Sequence, residues 1–206
     1  MRSISLVALC AFEFPNNTPS GTITALANSQ EFSVHKFYHF LKSSGIKVGK
    51  NALYNYLSYL NDALIVFPLR KFAPSYKESE QSIPKIYFVD NGLLRISGIQ
   101  GKGRLLENLV FVELLRRGKD VSYYKTPMAE VDFVVREGRR TKQLIQTCFD
   151  AEDYSTRERE LKALARAGRE LGCRDLLVIT WDESAEEKCR GKKIRFVPLW
   201  KWLLFE

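Results

Sequence analysis

The chain is poor in the residues that staple or metallate small folds. Its four cysteines, Cys10, Cys148, Cys173 and Cys189, form no CxxC pair, which excludes the usual zinc spacing and points to a reducing interior. Only two histidines occur, His35 and His39, one helical turn apart, with no third ligand near them; two imidazoles alone do not make a structural zinc site. Long hydrophobic runs are missing as well. Ile4 to Phe12 is too short to cross a bilayer and carries no signal-peptide cleavage pattern, so a cytoplasmic protein with no membrane partner is expected. A phosphate loop is also lacking. Around Gly101-Lys102 the motif G-x-x-x-x-G-K-[ST] would need Gly at position 96 and Ser or Thr at 103, where Ile96 and Gly103 stand, so no ATP-binding residue and no ATP hydrolysis are expected.

What is present suits a folded, moderately basic protein. Hydrophobic residues make up 45% and aromatics 12%, enough for a real core, and there is no low-complexity segment. Lys and Arg number 32 against 24 Asp and Glu, a formal charge of +8. The excess is even, with 10 basic and 6 acidic residues over 1–98 and 22 and 18 over 99–206. A basic surface of this kind permits an anionic partner, nucleic acid being the commonest.

The most informative stretch runs from Arg104 to Asp150. LLENLVFVELLRRG reads as a helix ending at Gly118, with Arg116 and Arg117 in its last turn where they suit the helix dipole. Glu107 is the misplaced residue. Val110, Phe111 and Leu114 share its face, so its carboxylate points along an apolar stripe, and burying it requires a metal, a cation or a hydrogen-bond network. VSYYK reads as a short strand. In the following strand EVDFVV, alternation puts Val131, Phe133 and Val135 on one face and Glu130, Asp132 and Val134 on the other. The turn Arg136-Glu137-Gly138-Arg139-Arg140 closes a hairpin, and its arginines Arg136, Arg139 and Arg140 are candidate phosphate contacts. The third strand puts Lys142, Leu144, Gln146 and Cys148 on one face.

The residues before this stretch read as a small helical domain. Ser3 to Phe14 and Thr22 to Asn28 suit two helices separated by Pro15, Asn16, Asn17 and Pro19. Ser33 caps a helix with Val34, Phe37, Tyr38 and Leu41 inward, stopped near Gly45. A further helix carries Leu53, Tyr56, Leu57 and Leu60 inward. Strands Leu64 to Phe72 and Lys85 to Val89, joined by a polar loop, complete a winged helix-turn-helix. If it binds DNA, Lys50, Asn51, Tyr54, Asn55 and Ser58 face the major groove. Lys42, Lys47, Lys50, Arg70, Lys71 and Lys77 meet phosphates. The alternative is that Tyr54, Tyr56 and Tyr59 pack against protein. Asp90 reads as a helix cap, and Gly98 to Gly103 as the junction between domains 1–98 and 99–206.

KIYFVDNGLL, LLENLVFVELLRRG, EVDFVV and PLWKWLL together resemble the C-terminal region of a family of archaeal and bacterial AAA-type P-loop ATPases, a winged helix followed by a PD-(D/E)xK nuclease-like domain of unknown function. The resemblance covers nearly the whole chain, without the ATPase domain. It implies an α/β fold: a winged helix followed by a restriction-endonuclease-like α-β-β-β-α-β domain with a mixed sheet. In active members of that superfamily a helix Glu, a strand Asp and a following E-x-K bind a divalent metal and activate water. Glu107 and Asp132 match the first two and are thereby candidate catalytic and metal residues, for Mg2+ or Mn2+. The third element departs, with Gln146 for the acid and Cys148 for the lysine. A Gln carbonyl is a weaker ligand for a hard cation than a carboxylate, and the lysine's assistance to water is lost. Lys142 lies four residues away, roughly 13 Å at strand rise; Lys125 on the preceding strand is the candidate substitute.

Beyond the third strand, Ser155-Thr156-Arg157-Glu158 reads as a capping box opening a helix with Leu161, Leu164, Gly168 and Leu171 inward, ended by Gly172. Leu176 to Trp181 reads as a central strand, Asp182 to Glu187 as an acidic turn and Lys192 to Val197 as a strand. Pro198 then opens a final helix whose Trp200 and Trp202 cover the sheet. These readings leave three functions open: a nucleic-acid-binding or interaction module with a degenerate nuclease-like site, a divalent-metal-dependent nuclease, and an accessory domain docking on a separate P-loop ATPase. A homodimer through the winged helix is compatible with each.

Overall fold

A computed structural model of the chain describes residues 19–150 and 154–205, with side chains over 23–150 and 157–205. The helix expected over Ser3–Phe14 lies outside these residues. The chain opens with helix α1 (Pro19–Asn28), followed by α2 (Val34–Ser43) and α3 (Lys50–Asp62). The Ser33 hydroxyl accepts from the Lys36 N–H and so caps α2. Gly45, at φ +78°, takes the left-handed conformation that lets the chain leave it. Val34, Phe37, Leu41, Leu53 and Leu60 are buried and share a core with Leu26, Phe32, Ile86 and Phe88. Tyr56 and Leu57, expected inward, are half-buried.

Strands β1 (Val66–Leu69) and β2 (Lys85–Phe88) pair antiparallel, Val66 opposite Phe88. Their connection is not only polar loop: it contains helix α4 (Tyr76–Gln81), capped by Ser75. The end of this arm does not project freely. The Arg70 carbonyl accepts from the Tyr123 N–H, the Phe72 N–H donates to the Tyr123 carbonyl, and Phe72 packs near Tyr124, with ring centres 6.5 Å apart. A short helix α5 (Asn91–Ile96), capped by Asp90 as expected, leads to the long helix α6 (Lys102–Arg116).

The second part is a mixed α/β unit around six strands in the order β3-β4-β5-β6-β8-β7. Strands β3 (Asp120–Thr126), β4 (Ala129–Glu137) and β5 (Arg140–Cys148) form an antiparallel meander. Helix α7 (Tyr154–Glu170) crosses over to β6 (Leu176–Thr180), parallel to β5, and β6 lies parallel to β8 (Lys192–Pro198). Helix α7 begins one residue before the expected cap Ser155, whose side chain lies outside the described residues. The expected acidic turn at 182–187 is in part a strand, β7 (Ala185–Cys189), paired antiparallel with β8 at the sheet edge. Its charged residues Glu186, Glu187 and Lys188 are what an edge strand tolerates and what hides it in sequence.

Two apolar layers sandwich the sheet. Leu161, Leu164 and Ala165 of α7 pack on Val134, Leu144, Leu176 and Val178. On the other face α6, through Val110, Phe111 and Leu114, and helix α8 (Leu199–Phe205), through Leu199 and Trp202, pack on Phe133, Ile145, Leu177 and Val197. Trp200 does not cover the sheet; it is 56% exposed. Regular alternation also fails in β4. Val134 pairs with Ser122 but Val131 with Tyr124, so Asp132 and Phe133 together oppose Tyr123 in a β-bulge. Val131 accordingly joins the α7 layer and Phe133 the α6 layer, although alternation assigns them one face. A bulge of this kind re-aims a side chain, and here the side chain is Asp132.

Candidate functional site

A cleft of about 1430 Å³ opens between the start of α6, the β3–β4 connection, the end of β5 and α7. Glu107 and Asp132 both line its floor, as the family resemblance implies. The group between them was not expected. Lys85, the first residue of β2, is 2% exposed. Its Nζ stands 3.2 Å from Asp132 Oδ1, 3.1 Å from Glu130 Oε1 and 3.5 Å from Glu107 Oε1. Strand alternation explains the arrival: Ile86 and Phe88 turn into the core of the first part, which sends Lys85 and Tyr87 to the opposite side, toward α6 and the meander.

Every member of the cluster is held by neighbours. The Tyr87 hydroxyl donates to Glu107 Oε1 at 2.6 Å, and Gln30 Nε2 donates to Glu107 Oε2 at 3.4 Å. Asp132 Oδ2 accepts from both the Thr147 N–H, at 3.0 Å, and its hydroxyl, at 2.8 Å. Lys125 pairs with Glu31 and, at 3.1 Å, with Glu130. Arg104 Nη1 lies 3.8 Å from Glu107. Three carboxylates, Glu107, Glu130 and Asp132, thus face three cations, Lys85, Lys125 and Arg104, which is how buried charge becomes tolerable.

The electrostatics follow. Burial alone would lower the Lys85 pKa, but Asp132, Glu107 and Glu130 outweigh it and hold the ammonium well above its ordinary value. Burial, with the charge of Asp132, pushes the Glu107 carboxyl up against the pull of Lys85, Arg104 and the Tyr87 hydroxyl. Glu130 moves down: burial opposes this, but Lys85 and Lys125 prevail.

Gln146 sits beside the cluster with both ends of its amide engaged. Its Oε1 accepts the Asp132 N–H at 3.1 Å, just beyond the Phe133–Ile145 end of the β4–β5 ladder, and its Nε2 donates to Glu160 Oε2 at 2.7 Å. Burial raises the Glu160 pKa. A divalent ion between Glu107 and Asp132, as the resemblance implies, does not fit these residues. The Lys85 ammonium stands between those carboxylates, and the Gln146 carbonyl already accepts the Asp132 N–H. Among the described residues no three of His, Cys, Asp and Glu are grouped to hold a metal.

The remaining expected residues lie elsewhere. Lys47, Asn51, Tyr54 and Asn55 are exposed and Lys50 half-buried, along the outer side of α3 and the turn before it. Arg70 donates to the Ser82 carbonyl and pairs with Glu80, and Lys71 forms a bridge to Tyr123, so both serve the joint with β3. Arg136, paired with Asp120, and the exposed Arg139 and Arg140 occupy the far tip of the β4–β5 hairpin and do not line the cleft. Sequence reasoning missed Lys85, Tyr87, Arg104, Gln30 and Glu160 as site residues. One signal was available: a lysine sharing a strand face with Tyr87 in an otherwise apolar segment is as misplaced as a carboxylate on an apolar helix stripe.

Residues 102–202 match the model of a domain of unknown function, DUF4143, and residues 22–102 that of a second domain of unknown function, DUF8612. An uncharacterized protein of Methanocaldococcus jannaschii is 36% identical over 187 residues, covering 85% of this chain and 41% of that protein. An uncharacterized protein of Haemophilus influenzae is 33% identical over 106 residues, 50% of this chain and 26% of that protein. The chain therefore spans less than half the length of these curated relatives. No described helix is long and apolar enough to cross a membrane.

Proposed function

We propose that this chain is a nucleic-acid-binding module on a nuclease-like scaffold that does not cut. One observation carries the proposal: the Lys85 ammonium pairs with Glu107, Glu130 and Asp132 from within the fold, the place where metal-dependent cleavage would need a divalent cation. Support for the scaffold comes from the order α6, β3–β5 meander, α7, β6, with Glu107 on the helix, Asp132 on the second strand and Gln146 on the third. Helices α2 and α3 followed by the β1–β2 pair suit a winged helix, with the exposed side of α3 as its reading face. The cleft is lined by eight basic and six acidic residues, a balance that favours a polyanion once the floor has neutralised itself.

The test is a joint cleavage and binding assay on supercoiled plasmid and short single- and double-stranded DNA, with Mg2+, Mn2+ or EDTA. The expected result is salt-sensitive binding, equal in EDTA, without nicking. Mn2+-dependent nicking that disappears in Asp132→Ala would overturn it. A second reading, docking on a P-loop ATPase in the same cytoplasm, is favoured by the occurrence of DUF4143 in AAA-ATPase-associated proteins and by the exposed Trp200, Leu204 and Phe205.

A further inference from the structure

The start of α6 and the ends of β5 and β6 meet at one rim of the cleft; the carboxylate cluster draws on Arg104, Glu107, Gln146 and Thr147 of these elements and leaves Lys102, Phe149 and Trp181 unused. Helix α6 begins at Lys102 behind Gly101, which offers no side-chain cap, so its first N–H groups lack a capping oxygen. Nothing lies within 4 Å of where a Cβ would stand on Gly101 or Gly103, so the space before the helix is open. Arg104 supplies the second observation. Its side chain is 9% exposed and lines the cleft. Nη2 donates to the Ile86 carbonyl and the guanidinium lies over the Tyr87 ring. Nε and Nη1, however, are buried with no hydrogen-bond partner, and the 3.8 Å to Glu107 is too long for one. A buried guanidinium with unfilled donors beside a bare helix N-terminus is suited to a phosphate.

Lys102 joins this corner to an apolar pocket of about 270 Å³ walled by Leu105, Leu109, Phe149, Trp181 and Leu199. Phe149 follows β5 directly and Trp181 follows β6. These strands are parallel, and the crevice beyond the carboxyl ends of parallel strands is where α/β sheets take ligands. The two rings lie 5.5 Å apart at 35°, Lys102 Nζ is 5.2 Å from the Phe149 centre, and Trp181 is 53% exposed.

We propose that this corner holds one nucleotide of a single-stranded nucleic acid, its phosphate at the start of α6 against Lys102 and Arg104, its base on Trp181 and in the apolar pocket. The inference rests on the nucleic-acid reading above and specifies the strand form. A base inside a duplex has both faces stacked and reaches an indole only after unstacking, whereas a single strand offers its faces freely.

The experiment measures affinity for a short fluorescein-labelled oligothymidylate, a duplex of the same length and free thymidine monophosphate, in the full chain, alongside tryptophan emission. The oligothymidylate should bind more tightly than the duplex and quench emission. Trp181→Ala should weaken it about tenfold or more, stacking on one aromatic being worth that much, with the duplex unchanged. Trp181→Phe should keep the affinity within a few-fold and remove most of the quench. Lys102→Glu should weaken binding and flatten its salt dependence. Duplex binding with no single-strand preference, or no effect of Trp181→Ala, overturns this site and leaves the module reading standing. Monophosphate competing as well as the oligonucleotide overturns the strand in favour of a free nucleotide. Failure of every ligand to bind sinks both.

Discussion

At the scale of residues, the decisive one is Lys85. Removing a buried charge from an ion cluster leaves its partners uncompensated, at a cost of about 3–5 kcal/mol. Lys85→Met should therefore lower stability by that order at neutral pH in urea denaturation. Its pH dependence distinguishes charge from packing. Glu107 already titrates above its ordinary value in the folded chain, and losing the lysine raises it further. A raised carboxyl stabilises fully below its unfolded pKa of roughly 4.3 and loses that contribution as pH rises through the folded value. The deficit of Lys85→Met should thus shrink toward pH 5 and grow toward pH 8; a deficit flat with pH would mean that packing alone was lost. Gln146 makes the complementary case. Placing an acid there with Gln146→Glu would set a second carboxylate where 2.7 Å now separates an amide donor from Glu160, whose own carboxyl burial has already pushed up. The variant should lose about 2 kcal/mol or more at neutral pH and recover in acid, as both carboxyls protonate. Stability unchanged at neutral pH would show that the amide donor is dispensable. Glu107 was legible because it is polar where periodicity demands an apolar residue, whereas Asp132 and Gln146 entered as site residues through the family resemblance. Lys85 was not legible, because its partners come from α6 and β4, 22 and 47 residues away.

At the scale of elements, local rules wrote most boundaries and long-range pairing wrote the exceptions. Ser33, Asp90, Gly45 and Gly118 mark helix ends by their own chemistry, and α2, α5 and α6 begin or end accordingly. The β4 bulge has no such mark. It arises from the register against β3, where Tyr123 faces two residues at once, and pair registers are not written in one strand. Strand β7 is invisible for a related reason: its stability comes from β8, not from its own polar sequence. Arg117 shows how an element can be tied at its end. Expected only to suit the α6 dipole, it donates to Glu113 at 2.5 Å, lies 4.3 Å from the Trp202 ring and donates to the carbonyls of Trp202 and Leu203. It thereby fastens the end of α6 to α8. Arg117→Ala should cost about 1–3 kcal/mol through those lost charged hydrogen bonds. Urea denaturation followed by tryptophan emission reads this directly, since Trp200 and Trp202 lie in α8. An unchanged midpoint would mean that α8 is held by Leu199 and Trp202 alone.

At the scale of the molecule, the two regions that compositional reading separates near residue 98 share their interior. Tyr87 of β2 stacks on Phe111 of α6, ring centres 4.2 Å apart and 13° from parallel, and Leu69 of β1 belongs to the same apolar layer. Arg70 and Phe72 extend this joint along β3. The buried Lys85 thus arrives from the first region, and Glu107, Glu130 and Asp132, with which it pairs, from the second. A fragment of residues 99–206 would lose Lys85, the Tyr87 hydroxyl and the Phe111 stacking partner together. It would also expose apolar surface of α6 and the meander, each fully buried large apolar side chain being worth about 1.5–3 kcal/mol. All three tryptophans of the chain, Trp181, Trp200 and Trp202, fall within this fragment, so their emission reports the same region with and without the first. The fragment should unfold at a markedly lower urea concentration than the whole chain and bind a hydrophobic dye, while the whole chain should give coincident transitions by emission and circular dichroism. Equal midpoints would show that the sheet stands without its borrowed lysine. In that event the cluster around Lys85 is a contact between two self-sufficient bodies and not the centre of one.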